Sequence, residues 1–94
     1  MEKTVTVTLA GEEFVVKQFN IGQHELFGAA LEALPSGKIP GEVLRIALPD
    51  ATPPKTVAEV NEMQAGLYDI SAAVEAILGL AGYNMTKVAD AATA

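Results

Sequence analysis

The sequence predicts an α+β domain in which an N-terminal two-stranded antiparallel hairpin packs on a small bundle of three to four helices. Strict alternation of polar and apolar residues from Thr4 to Leu9 predicts the first strand, and apolar residues at helical spacing from Leu67 to Ala81 predict a long final helix. A lone hairpin is only marginally stable in water, so it must lie on the helices that follow it. The 94 residues suit one ordinary domain, which we assign to residues 1–82.

The hairpin is expected over about residues 3–19. Gly11 separates two alternating segments and suits the positive φ that a tight turn demands. In the return strand the register leaves two inward sets open, and we favour Phe14 and Val16 over Val15 and Lys17. On the first strand, the face expected to be buried carries Val5, Val7 and Leu9.

Two helices are expected in the middle of the chain. Asn20 and Gln23 have the spacing of a capping box, which predicts a helix over about residues 21–34. Pro35 ends this helix, and Pro40 at a first-turn position opens a second helix over about residues 40–48. The apolar stripe of the first helix is expected to face the core through Leu26, Phe27, Ala30, Leu31 and Leu34.

Three prolines between Pro49 and Pro54 predict a semi-rigid connector before the last two helices. Thr56 and Glu59 form a second capping-box pattern, which predicts a helix over about residues 57–63. A break at Gly66 precedes the final helix over about residues 67–81, and residues 83–94 are expected to form a flexible tail. Gly82 is expected to cap the final helix, whose apolar stripe comprises Leu67, Ile70, Val74, Ile77, Leu78 and Ala81.

The charge balance indicates which partners the chain can have. Six Lys and Arg residues against twelve Asp and Glu residues give a net charge of −6, which argues against binding nucleic acid or an anionic membrane. The chain has no cysteine for disulfide or thiol chemistry, and no apolar run approaches the roughly 20 residues of a membrane helix. Because the sequence begins without an apolar signal segment, we expect a cytoplasmic protein with protein partners.

No side-chain pattern typical of catalysis is present. His24 is the only histidine, and it lacks the second ligand one helical turn later that a helical zinc site requires. Ser36 and Ser71 have no nucleophile elbow around them, and the glycines form no phosphate-binding loop after a strand. The sequence therefore predicts no enzyme, and no catalytic, cofactor-binding or metal-binding residue.

Two surfaces are candidates for binding a partner. The first is an apolar groove that such a short chain leaves uncovered, although the same residues also suit a single core. The second is the hairpin edge, where a partner strand could add, although Lys3, Lys17 and the threonines also suit an edge that discourages pairing. The candidate partner-binding residues of the groove are Phe27, Leu31, Leu44, Ile46 and Leu48.

Several short motifs resemble those of tail assembly chaperones of long-tailed bacteriophages and prophages. The resemblance spans about residues 3–82, apart from the proline-rich segment from Pro49 to Pro54. It rests on Lys3-Thr4-Val5-Thr6-Val7, Ala10-Gly11, Phe19-Asn20-Ile21-Gly22-Gln23, and Ala73-Val74-Glu75-Ala76-Ile77-Leu78 followed by Gly82. It implies a non-enzymatic protein of the bacterial host cytoplasm that keeps a tail component, its client, soluble until the tail tube polymerises. The client would be the tape-measure protein or the tail tube subunit.

Two alternatives belong to other classes of protein. A structural tail protein would form rings or stacks of fixed symmetry, with the hairpin edge or the proline-rich loop buried between subunits. This alternative predicts a homo-oligomer. A small enzyme would need a pocket of convergent polar groups around His24.

Overall fold

The chain forms a β-hairpin followed by four α-helices in the computed structural model, which describes residues 3–83. This confirms the predicted α+β class. The helices begin and end within one residue of the predicted bounds, and 3-10 turns at Ser36–Lys38 and Leu48–Asp50 flank the second helix. Of the tail predicted over residues 83–94, only Tyr83 lies among the described residues. The strands are β1 (Thr4–Leu9) and β2 (Glu12–Lys17), and the helices are α1 (Ile21–Ala33), α2 (Ile39–Ala47), α3 (Val57–Glu62) and α4 (Leu67–Ala81).

The hairpin register places one apolar face on the helices. Val7 lies opposite Phe14, and Val5 lies opposite Val16, so these side chains share a face. Phe14 and Val16 are buried, which confirms the favoured inward set. The turn has positive φ at Ala10 (53°) and at Gly11 (77°), the backbone of a type I′ turn. Helix α4 packs against β1 and covers the apolar face.

The proline-rich connector pairs with β2, along the edge of that strand that faces away from β1. The Val15 N–H donates to the Thr52 carbonyl, and the Thr52 N–H donates to the Val15 carbonyl, both at 2.9 Å. Lys55 Nζ also lies 3.4 Å from Glu12 Oε1. The middle of the β2 edge is therefore occupied by the chain itself.

Both predicted capping boxes form. Asn20 Oδ1 accepts from the Gln23 N–H at 2.8 Å, and Gln23 Oε1 accepts from the Asn20 N–H at 2.9 Å. Thr56 and Glu59 make the equivalent exchange at the start of α3. Gly82 ends α4 with φ 100°, the left-handed conformation expected of a glycine cap. These local signals explain why the helix starts could be placed from the sequence.

Helix α2 lies at the centre of the fold, packed against α1, α3 and α4. Its apolar side chains meet those of the hairpin and of α4 in one core. Among residues 3–83, no helix is both long and apolar enough to cross a membrane. The largest fully buried side chains are Leu9, Phe14, Val16, Val43, Leu48, Ile77 and Leu78.

Three residues of the predicted core stripes are exposed instead. Leu26 is 59% exposed and Leu31 is 49% exposed, although both lie in the apolar stripe of α1. The reason is that α1 packs mainly on α2, so only a narrow strip of α1 is buried, centred on Phe27 and Ala30. Leu67, at the start of α4, is 75% exposed.

Gln23 is buried, and its amide ties α1 to the end of α2. Besides capping α1, its Nε2 donates to the Ile46 carbonyl at 3.1 Å and to Asp50 Oδ2 at 3.3 Å. Burying a polar group costs free energy unless it is hydrogen-bonded, and the Gln23 amide bonds to groups of Asn20, Ile46 and Asp50. The side chain therefore holds the start of α1 against the end of α2.

Gln23→Met is expected to lower the free energy of unfolding by about 1–3 kcal/mol, because it leaves the Ile46 carbonyl and the Asn20 N–H without their partner at nearly constant side-chain size. Equilibrium urea unfolding measures the loss. Gln64→Met is the matched control, since Gln64 is exposed. Equal shifts in the two variants would contradict the bridging role of Gln23.

Candidate functional site

Four of the five candidate partner-binding residues lie in the core. Phe27, Leu44, Ile46 and Leu48 are buried, so the expectation that these four face a partner is corrected. Leu31 alone among the five is exposed. Leu44 and Ile46 are buried because α2 packs against α1, α3 and α4, and Phe27 is buried on the strip of α1 that packs on α2.

The structure does contain an open apolar pocket, and Leu44 is the one candidate partner-binding residue that lines it. It lies between the first half of α2 and the link that joins α3 to α4, and its volume is about 320 Å³. Most of its walls are hydrocarbon, and a single guanidinium group, that of Arg45, lies at its border. The apolar lining residues are Leu9, Leu44, Val60, Met63, Leu67 and Ile70.

The pocket opens at the start of α4. Leu67 lines it and is 75% exposed, and the adjacent Tyr68 is 91% exposed. Gly66 caps α4 without a side-chain hydrogen bond, after an extended link that begins at Met63. Large apolar side chains at an open pocket are typical of interaction sites.

Arg45 braces one wall of the pocket. Its Nε donates to Glu42 Oε1 at 2.9 Å, and its Nη1 donates to Asn61 Oδ1 at 3.0 Å, which links α2 to α3. Gly41 makes room for this arrangement, because a Cβ at that position would lie 3.2 Å from Arg45 Nη1. With its charge already paired, Arg45 leaves the pocket interior apolar.

The short helix α3 forms the facing wall through Val60. A helix of six residues has little stability of its own, so its capping box matters. The hydrogen bond from the Thr56 backbone, followed by that with the Thr56 side chain, holds the pKa of Glu59 below its ordinary value. The carboxylate form of Glu59 is thus the one that caps α3.

His24 lies away from this pocket, in an aromatic cluster at the other end of α4. Its Nδ1 is 3.1 Å from the Tyr83 hydroxyl, and the Tyr83 ring packs edge-on against Phe27 with centroids 4.9 Å apart. Within residues 3–83 no group of three or more His, Cys, Asp or Glu side chains could hold a metal ion. The contacts of His24 are therefore those of a packed side chain that anchors Tyr83.

No sequence pattern predicts the pocket. The helical spacing of Leu67, Ile70 and Leu44 predicts core residues. The other lining residues Met63 and Leu9 lie in segments that are far from each other in the chain. Gly66 is predicted only as a break between two helices, and the link around it borders the pocket. Comparison with known proteins found no matching family model, no matching curated protein and no matching solved structure.

Proposed function

We propose that this chain is a non-enzymatic tail assembly chaperone of a long-tailed bacteriophage or prophage, acting in the bacterial host cytoplasm. Its client would be the tape-measure protein or the tail tube subunit, held soluble during tail morphogenesis. The observation that carries the proposal is the open apolar pocket, whose lining residue Leu67 is 75% exposed. The resemblance of the short motifs to those of that family suggests the identity of the client.

The pocket has the properties that reversible holding requires. Its volume accommodates a few apolar side chains of an amphipathic helix, the usual occupant of a hydrophobic groove on a protein. Met63 adds an adaptable wall, because an unbranched thioether side chain fits differently shaped partners. The net charge of −6 keeps the unbound protein soluble while this surface is open.

The structural alternative is a tail protein that forms a ring or stack. Its subunits would have to pair through a surface other than the β2 edge. Thr52 occupies the middle of the β2 edge, so within residues 3–83 the outer edge of β1 is the side of the hairpin left for another subunit. For an enzyme, His24 would have to lie in a polar pocket, and its Nδ1 instead contacts the Tyr83 hydroxyl.

The test is co-expression of this chain with a tape-measure protein and, separately, with a tail tube subunit encoded in the same gene cluster. We expect a complex that co-purifies and keeps the client soluble, with its mass measured by light scattering. A homogeneous ring that forms from this chain without a client would overturn the chaperone proposal in favour of the structural alternative.

Leu67→Asp is expected to weaken client capture roughly 10- to 100-fold, which corresponds to losing the burial of one leucine. Ile21→Asp is the matched control, because Ile21 also starts a helix, is 79% exposed and lies outside the pocket lining. An aspartate suits the first turn of either helix, so both variants should stay folded. Titration of the client by fluorescence anisotropy compares them, and equal weakening would contradict binding at the pocket.

A further inference from the structure

The outer edge of β1 carries backbone groups without partners among residues 3–83. The Gln18 N–H donates to the Lys3 carbonyl, so Lys3 and every second residue after it bond to β2. The residues between them, Thr4, Thr6 and Thr8, therefore direct their N–H and C=O groups outward. No backbone bond reaches these groups from the rest of the described chain.

We propose that a second copy of this chain pairs with this edge, β1 to β1 and antiparallel, about a two-fold axis at Thr6. In this register Thr4 of one copy lies opposite Thr8 of the other, and Thr6 lies opposite its own symmetry mate. Each of these pairs exchanges both N–H···O bonds, because all three residues direct their backbone groups outward. The two hairpins become one four-stranded sheet.

The sequence of β1 is self-complementary in this register. Thr-Val-Thr-Val-Thr reads the same in both directions around Thr6, so threonine meets threonine on one face and valine meets valine on the other. Cross-strand pairs of these types are favourable. Natural edge strands are usually protected by charge or proline, and no residue from Thr4 to Leu9 carries either.

Charges beside the edge are complementary across the same axis. Gln18, which is bonded to Lys3 before the start of β1, donates from Nε2 to the Leu80 carbonyl near the end of α4. Leu9, at the end of β1, lies with Leu67 and Ile70 around the pocket. Helix α4 therefore runs antiparallel to β1. Asp69 consequently lies near the Thr8 end of the strand, in the groove between β1 and α4.

Side chains alternate between the two faces of a strand, so Lys3 lies on the same face as Val5 and Val7. Its side chain therefore projects on the α4 side of the sheet. In the proposed register Lys3 of the second copy lies opposite Leu9, next to Asp69 of the first copy. Symmetry repeats this pair at the other end. The groove of about 270 Å³ gives the lysine room, since Ala72 and Ala76 form its helical wall.

A two-fold contact of this kind closes on itself, so it yields a dimer and no filament. A single strand pair is a small interface, and a dissociation constant in the micromolar range or weaker is expected.

Amide hydrogen exchange of the whole chain, followed by NMR at low and high concentration, tests the proposal directly. At high concentration we expect Thr4, Thr6 and Thr8 amides to become protected and the mass to approach twice 9.8 kDa by sedimentation. The Val15 amide, bonded to Thr52, should be protected at both concentrations. A chain that remains monomeric at millimolar concentration overturns the proposal.

Thr6→Pro removes an outward N–H that β2 does not use, so it should abolish the dimer. Glu13→Pro is the matched control on the opposite edge and should leave the dimer intact. Because a proline variant can disturb folding, the charges supply a second test. Asp69→Lys should weaken the dimer at least several-fold, and Lys3→Asp combined with Asp69→Lys should restore it. A dimer unchanged by folded Thr6→Pro, or by Asp69→Lys, would refute this arrangement.

Discussion

Leu44→Glu is expected to unfold the chain. Leu44 is buried in α2, at the floor of the pocket, so the change removes leucine packing worth about 2–5 kcal/mol and also places a carboxylate against apolar walls. A domain of this size has a total stability of about 5–15 kcal/mol. The loss should appear as the absence of helical circular dichroism at 222 nm under conditions where the unaltered chain is folded.

Leu31→Glu is the control for that experiment, because Leu31 is the exposed member of the same candidate set. A surface change of this kind usually alters stability by no more than about 0.5 kcal/mol. Normal helical content in both variants would mean that Leu44 is accessible, contrary to its burial in α2.

Phe14→Ala is expected to cost about 3–5 kcal/mol of stability, because Phe14 is fully buried where the hairpin meets the helices. For a domain of this length, the melting temperature should fall by more than about 10 °C. Differential scanning calorimetry measures both quantities. Val15→Ala, on the opposite face of the same strand, should change the melting temperature far less. Similar losses in the two variants would contradict the hairpin register.

The helix starts and the hairpin face were predictable because their signals are local. Asn20 with Gln23, and Thr56 with Glu59, satisfy backbone groups within a single turn, and the alternation of β1 defines its own faces. Burial on α1 was not predictable in the same way. The spacing of Leu26 and Leu31 indicates an apolar stripe, but its width in the core depends on how many elements pack on that helix.

Tertiary partners explain the remaining differences. Thr52 pairs with Val15 although α1 and α2 separate them in the chain, and Gln23 bonds to the Ile46 carbonyl in another helix. No pattern within either segment reveals these contacts. The pocket follows the same rule. Its lining combines Leu9 with Met63 and Leu67, residues far apart in the chain, so it exists only once α2 and α4 are packed.

The packing of Tyr83 on α1 has a practical consequence for labelling. Helix α4 has 15 residues, so its two ends lie about 22 Å apart. The pocket opens at one end, whereas Tyr83 leaves the other end fastened to Phe27 and His24. A dye attached through a cysteine at position 79, where a Cβ would meet no atom within 4 Å, therefore lies near the end of α4 opposite the pocket and leaves the pocket open to the solution.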